Sequence, residues 1–248
     1  MIFKTFYSLI LAFFLTACTH SPYTHRQQLI LVSPAQEMQM GLQSERQIPA
    51  KSSISHNRRY NAMVQRVGRR IAAVANQPSY HWSFHVINGK QINAFCLPGG
   101  KIFVYTGLLK MIDNDDQLAA VIGHEVAHAI ARHGAERISM MQLGDLGRKL
   151  AIKAAGARYQ SAINQVYGIS ANYGVFLPYS RKFEYEADEI GLYLMTKAGY
   201  DPHQAIVFWQ KMINATRNMR KPPEFASTHP SDQNRIRRLQ AIIARMGR

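Results

Sequence analysis

Cysteine is nearly absent from this 248-residue chain, which has only Cys18 and Cys96. That count excludes a disulfide framework and a cysteine-built zinc site. Acidic residues are also scarce, 15 against 30 Lys plus Arg, for a formal net charge of +15. Such a surplus suits nucleic acid, an anionic membrane surface or plain solubility. The basic residues fall in small clusters at Arg58-Arg59, Arg69-Arg70 and Arg235 to Arg238. No helix-turn-helix, zinc-finger or RNP pattern accompanies them, so no nucleic-acid partner is expected. No apolar run reaches the ~20 residues of a spanning helix. What remains is a folded chain with enough apolar content for one globular domain.

The first residues read as an address. Lys4 precedes an apolar run, Phe6 to Phe14, that stops by Ala17, and Leu15-Thr16-Ala17-Cys18 resembles a bacterial lipobox. The expectation is a signal peptide over 1–17 and a lipidated Cys18, with Thr19 favouring the outer membrane by the enterobacterial sorting rule. Residues 18–35, with Ser21-Pro22 and Ser33-Pro34, read as a tether, and 36–248 as the domain. With Cys18 lipidated, Cys96 has no partner in the chain.

Met63, Val64, Val67 and Ile71 recur at helical spacing. Trp82, Phe84 and Val86 alternate as a strand does, and two more short runs flank Pro98-Gly99-Gly100, a turn sequence. A helix is predicted from an Asp113 cap through His133, with a break at Gly134. Residues 135–178 carry no strong stripe. Further helices are predicted from Ser180 to Lys197, after Asp201-Pro202, and from Ser231, the last burying Ile236, Leu239, Ile242 and Ile243.

His124-Glu125-Val126-Ala127-His128 carries the chemistry. Residues four apart on a helix share a face, so two imidazoles form half of a tetrahedral zinc site, and Glu125 beside them can accept a proton from activated water. Apolar residues surround this helix on nearly every side, and buried imidazoles beside a buried carboxylate are costly without a metal. Ala131 and Gly134 stand where another metalloprotease class would show its pattern for a third His, so that class fails. His133 lies ~180° round a continuous helix from His124 and reads as a cap, surface or second-site residue. The remaining ligand is sought in Phe183-Glu184-Tyr185-Glu186-Ala187-Asp188-Glu189, where Glu184 and Asp188 share a face with Ala187 and Gly191. A plain solvated acidic face is the alternative for that run.

HEVAHAIARH followed by SRKFEYEAD, with Asn93-Ala94-Phe95, Pro98-Gly99-Gly100 and Ser227-Thr228-His229-Pro230-Ser231, resembles the family of the heat-shock protease HtpX and the CaaX-prenyl endopeptidases. Its soluble lipoprotein and mitochondrial types are the most similar. The resemblance covers about residues 60 to 245 and departs at Cys96, where Ala is expected. It implies an α+β fold: a mainly α-helical zincin domain, gluzincin-like, with a small β-sheet next to the HExxH helix. It also implies one Zn2+ held by His124, His128 and Glu184, Glu125 as base, and Asp188 as companion acid. Asp188 would either stabilise an oxyanion or orient a ligand.

The function expected from these features is endoproteolysis of unfolded or misassembled proteins of the bacterial cell envelope, at the periplasmic face of the outer membrane. The alternative is a chaperone-like factor working with the outer-membrane assembly machinery, with proteolysis secondary or latent. Asn93 and Ala94 lie either on an exposed strand edge that pairs with extended substrate or on an ordinary core strand. His229, in a Pro-bounded loop, is either a fourth ligand and switch or a surface residue.

Overall fold

The computed structural model describes residues 18–169, 177–217, 229 and 233–247. The signal segment 1–17, the Cys18 side chain and the prolines that bound the His229 loop lie outside the described residues.

Strand β1 (Cys18–His20) pairs antiparallel with β2 (Gln27–Leu29). The expected tether is therefore folded over these residues, with Gln28 and Ile30 buried. Ser33 and Gln36 form a reciprocal capping box that starts α1 (Pro34–Lys51). Asn57 caps α2 (Arg58–Val74), whose Val64, Val67 and Ile71 are fully buried, as their helical spacing predicts.

The small sheet follows. β3 (Ser83–Ile87) runs parallel to β5 (Lys101–Tyr105), and β4 (Ala94–Leu97) runs antiparallel to β5, giving the order β3-β5-β4. β4 is thus an edge. Gly99 and Gly100 join it to β5 at φ of 73° and 83°, the left-handed conformation that glycine adopts without penalty.

A short helix, α3 (Thr106–Leu109), leads to α4 (Asp115–Ile130), which is capped by Asn114 and not by Asp113. The Asn114 side chain accepts from the Gln117 amide, and Asp115 and Asp116 place negative charge on the first turn. α4 packs against α2, β4, α7 (Leu177–Lys197) and α8 (His203–Thr216), so it is buried almost all round.

α4 does not run through His133. It ends at Ile130, Arg132 adopts φ 53° and ψ 34°, and α5 (His133–Ala155) starts in a new direction. Left-handed backbone is uncommon outside Gly, Asn and Asp. Here Arg132 is held from outside, by Glu37 Oε2 at 2.7 Å and the Val32 carbonyl at 3.0 Å. The stretch without a clear stripe, 135–178, contains most of α5 together with α6 (Gln160–Ile169). The last described helix, α9 (Gln233–Arg245), buries Ile236, Leu239, Ile242 and Ile243 against α7 and α8. Among the described residues, no helix is long and apolar enough to cross a membrane.

Candidate metal centre

α4 and α7 cross where both are reduced to glycine. A Cβ on Gly191 would meet the His124 amide nitrogen at 3.0 Å, and one on Gly123 would meet the Gly191 carbonyl at 3.1 Å. This approach carries Glu184, two turns earlier on α7, to the imidazoles of α4. His124 Nε2 lies 3.1 Å from Glu184 Oε2 and 3.1 Å from His128 Nε2, and His128 Nε2 lies 3.3 Å from Glu184 Oε1. His229 completes the group, its Nδ1 3.1 Å from His124 Nε2 and 3.0 Å from Glu184 Oε2. His229 is buried, so it is not a surface residue.

These donor atoms fit a zinc ion. Ligands about 2.0–2.1 Å from a tetrahedral zinc sit roughly 3.3–3.4 Å apart. One offered atom from each of His124, His128, Glu184 and His229 falls within 4.8 Å of all the others, and the close pairs are 3.0–3.3 Å apart. A second observation agrees. Glu125 Oε1 is buried and makes no hydrogen bond, though it lies 3.4 Å from His229 Nε2. A buried carboxylate oxygen without a donor is costly, and it suits a group whose partner arrives with metal, water or substrate.

The site's electrostatics follow from burial and neighbours. Burial disfavours a charged His124, but Glu184 and Asp188 outweigh it and raise its pKa to about 9. Burial pushes the Glu125 carboxyl up to about 8, opposed by His124 and reinforced by Glu184. Burial lowers His128, and lowers His229 to about 3 against the pull of Glu184, so both favour the neutral form that ligates metal. Burial alone would raise Glu184, but His128, His229 and His124 hold it well below the ordinary carboxyl range.

Asp188 lies behind His124, not over the cleft. Its Oδ1 is 3.2 Å from His124 Nδ1, and both its oxygens accept from Arg235, at 2.6 Å each. Burial would raise its pKa, but Arg235 and His124 lower it. The geometry is that of a carboxylate orienting a ligand, not of a protonated acid facing an oxyanion. Arg235 is 1% exposed and stacks over Trp209, 3.4 Å from the ring centroid.

A cleft of about 180 Å³ opens beside these groups. Phe95, Cys96, Leu97 and Pro98 of the β4 edge line it, together with Glu125, His128 and Arg137. Asn93 and Ala94 stand at the buried start of that strand, and the Asn93 carbonyl accepts from the Tyr105 amide. Burial raises the Cys96 thiol well above its ordinary value, reinforced by Glu125 and Glu37, so it is not a reactive thiolate.

Sequence reasoning missed Arg235, counting it only as part of a basic cluster. The signal was present: Arg235 shares a face with Leu239 and Ile242, four and seven residues on, so an arginine stands on an apolar stripe. It also left His133 open among a cap, a surface and a second-site residue and gave Glu186 no role; the break at Arg132 brings His133 to Glu186.

The model of peptidase family M48 matches residues 58–243. The chain is 44% identical over 177 residues to the mitochondrial metalloendopeptidase OMA1 of Schizosaccharomyces pombe, covering 71% of this chain and 51% of that protein. It is 34% identical over 257 residues to human mitochondrial metalloendopeptidase OMA1, covering 97% of this chain and 48% of that protein. It is 29% identical over 212 residues to the beta-barrel assembly-enhancing protease of Escherichia coli, covering 83% of this chain and 43% of that protein. Of these three, the mitochondrial proteins share more identity, so the chain is nearer that type than the bacterial one. It spans about half the length of the relatives it matches.

Proposed function

The chain belongs to peptidase family M48, and from that premise we propose that it is a zinc-dependent endopeptidase acting on unfolded or misassembled envelope proteins. The observation that carries this reading is the buried group of His124, His128, Glu184 and His229 with the unsatisfied Glu125 oxygen beside it.

His124, His128 and Glu184 would hold the metal. Zinc there would supply Lewis acidity, polarising a scissile carbonyl and lowering the pKa of water. Glu125 then accepts a proton and delivers it to the leaving amine. Burial raises its carboxyl pKa, which makes it a stronger proton acceptor than an exposed carboxylate. The Cys96 amide lies against the Glu125 carboxylate and limits that rise. Asp188 orients His124 and stays ionised. β4, an edge strand among the described residues, lies along the cleft and can pair with an extended chain through backbone hydrogen bonds. Backbone pairing selects unfolded polypeptide over one side-chain sequence.

Glu125→Gln tests the assignment. The variant should retain one zinc per chain and lose cleavage of a labelled unfolded protein by at least about 100-fold. Retained cleavage would reject Glu125 as the base. Wild-type protein purified without stoichiometric zinc would reject the metal.

His229 supports a second feature of this reading. Its Nδ1 lies 3.1 Å from His124 Nε2 and 3.0 Å from Glu184 Oε2, where it would compete with water for a metal, and this supports a latent state. His229→Ala should raise basal proteolysis with zinc retained, and lowered activity would instead make it a transition-state group. The alternative of a chaperone-like assembly factor draws on the same latency and on the likeness to the beta-barrel assembly-enhancing protease of Escherichia coli. Chaperoning that survives Glu125→Gln would favour it.

The reading also places the mature chain at the periplasmic face of the outer membrane, anchored through lipid on Cys18. The apolar run ending at Ala17 supports this. A palmitate label that persists in Cys18→Ser would overturn it.

A further inference from the structure

His133 and Glu186 are buried polar groups that the proposed chemistry does not use. They lie on the far side of His128 from the metal group. The His133 ring is stacked there on Phe183, with 4.4 Å between centroids and 13° between planes. Its Nδ1 is 2.8 Å from His128 Nδ1, and its Nε2 is 3.0 Å from Glu186 Oε2. Arg26, between β1 and β2, donates from Nε to the same Glu186 oxygen at 2.5 Å. Its two other nitrogens donate to Glu136 at 2.9 and 2.7 Å. The Thr24 hydroxyl donates to the second Glu186 oxygen.

The direction of every bond in this line follows from its outer end. A carboxylate paired with arginine can only accept, so His133 must donate from Nε2. A neutral imidazole with its proton on Nε2 presents a lone pair at Nδ1, so His128 must donate from its own Nδ1. That leaves a lone pair on His128 Nε2, the atom that faces Glu184 and His124. Reversing the line would put the His128 proton on Nε2, where a metal has to bind. Carboxylate partners behind a ligating imidazole commonly fix its tautomer and tilt. Here one imidazole stands between the ligand and the carboxylate.

We propose that Arg26 and Glu186 are positioning residues of the metal centre, acting on His128 through His133. The inference rests on the proposed metal site and extends it to a segment, residues 18–33, that lies outside the stretch matched by the family model. The hairpin of β1 and β2 is therefore part of the site. Two further bonds fix it there: Gln28 Nε2 donates to the Ala131 carbonyl at 2.5 Å, and the Leu31 amide donates to Ser139 Oγ at 2.8 Å.

The test uses the full chain, stripped of metal and reloaded with zinc against a chromophoric chelator. His133→Phe keeps the stack on Phe183 and removes both hydrogen bonds. Arg26→Met keeps the aliphatic stem and removes the charge. Each should weaken zinc binding by about 10–100-fold and shift the absorption spectrum of the cobalt-substituted protein. Arg26→Lys should recover part of the affinity. Affinity within twofold of the parent in a folded His133→Phe protein overturns the inference and leaves the metal site standing. A parent chain that binds no zinc overturns both.

Where a variant does not fold, nitrogen-15 NMR of the zinc-loaded parent decides. His133 should be neutral, protonated at Nε2, and hydrogen-bonded at Nδ1 to a protected His128 proton. A His133 protonated at Nδ1 overturns the proposal.

Discussion

The two histidines of the HExxH turn are braced by different means. His124 has a carboxylate directly behind it, Asp188, which is clamped by Arg235. Asp188 and Arg235 come from α7 and α9, inside the region matched by the family model. His128 reaches its carboxylate only through a second imidazole, and the cation that secures that carboxylate comes from the N-terminal hairpin. One brace is short, buried and built into the helical core. The other is longer and depends on how a separate segment docks. The two sides should therefore differ in what their loss costs: fold and metal together on the core side, and metal geometry more than fold on the hairpin side.

The largest effect is expected on the core side. Asp188→Ala strips the buried Arg235 guanidinium of its carboxylate, and breaking one partner of a buried pair costs about 3–5 kcal/mol. Urea unfolding should show that loss together with loss of zinc. A destabilisation under about 1 kcal/mol would dissolve the contrast.

An intermediate effect is expected where the two sides meet, at Arg132. Arg132→Ala leaves the left-handed backbone in place and removes the bonds to Glu37 and the Val32 carbonyl. It should destabilise by about 2 kcal/mol and weaken zinc binding by moving His133. Arg132→Gly should recover about 1 kcal/mol of that, because glycine adopts this conformation freely. Equal losses in the two variants would show that the backbone conformation contributes nothing.

The smallest effect concerns the outer anchorage of α1. Burial alone would raise the Glu45 carboxyl, but bonds from Ser83 and His85, with Lys101 nearby, lower it from its ordinary value of 4.5. A carboxyl lowered by folding adds stability that is present above pH 4.5 and lost as the pH falls through its folded value. Glu45→Gln should thus cost under about 1 kcal/mol at neutral pH, with the difference from the parent closing in acid. Stability curves measured from pH 7 to pH 3 check this. A gap that stays constant would assign the effect to packing.

Much of the fold and half of the metal group were legible because they rest on local periodicity. The 3.6-residue repeat puts His124 and His128 on one face whatever surrounds them, and it puts Glu184 and Asp188 on one face of α7. Ala187 and Gly191 announced a close helix crossing, and Gly99 and Gly100 announced the turn between β4 and β5. The same periodicity misled at one point. Continued past Ile130, it sends His133 to the far side of the helix from His124, whereas the molecule places His133 Nδ1 2.8 Å from His128 Nδ1.

That reversal turns on Arg132, a residue with no local preference for left-handed backbone. Its conformation is held by Glu37 and Val32, about a hundred positions earlier in the chain. Arg26 lies 110 positions from Glu136 and 160 from Glu186, and Asp188 meets Arg235 only because α7 and α9 pack together. The sequence by itself determined which side chains could bind a metal, since that depends on residue type and helical spacing. The tertiary structure alone decided what stands behind each of them. Those partners come from segments far apart in the chain, and buried charges settle where packing supplies the opposite charge, not where local pattern suggests.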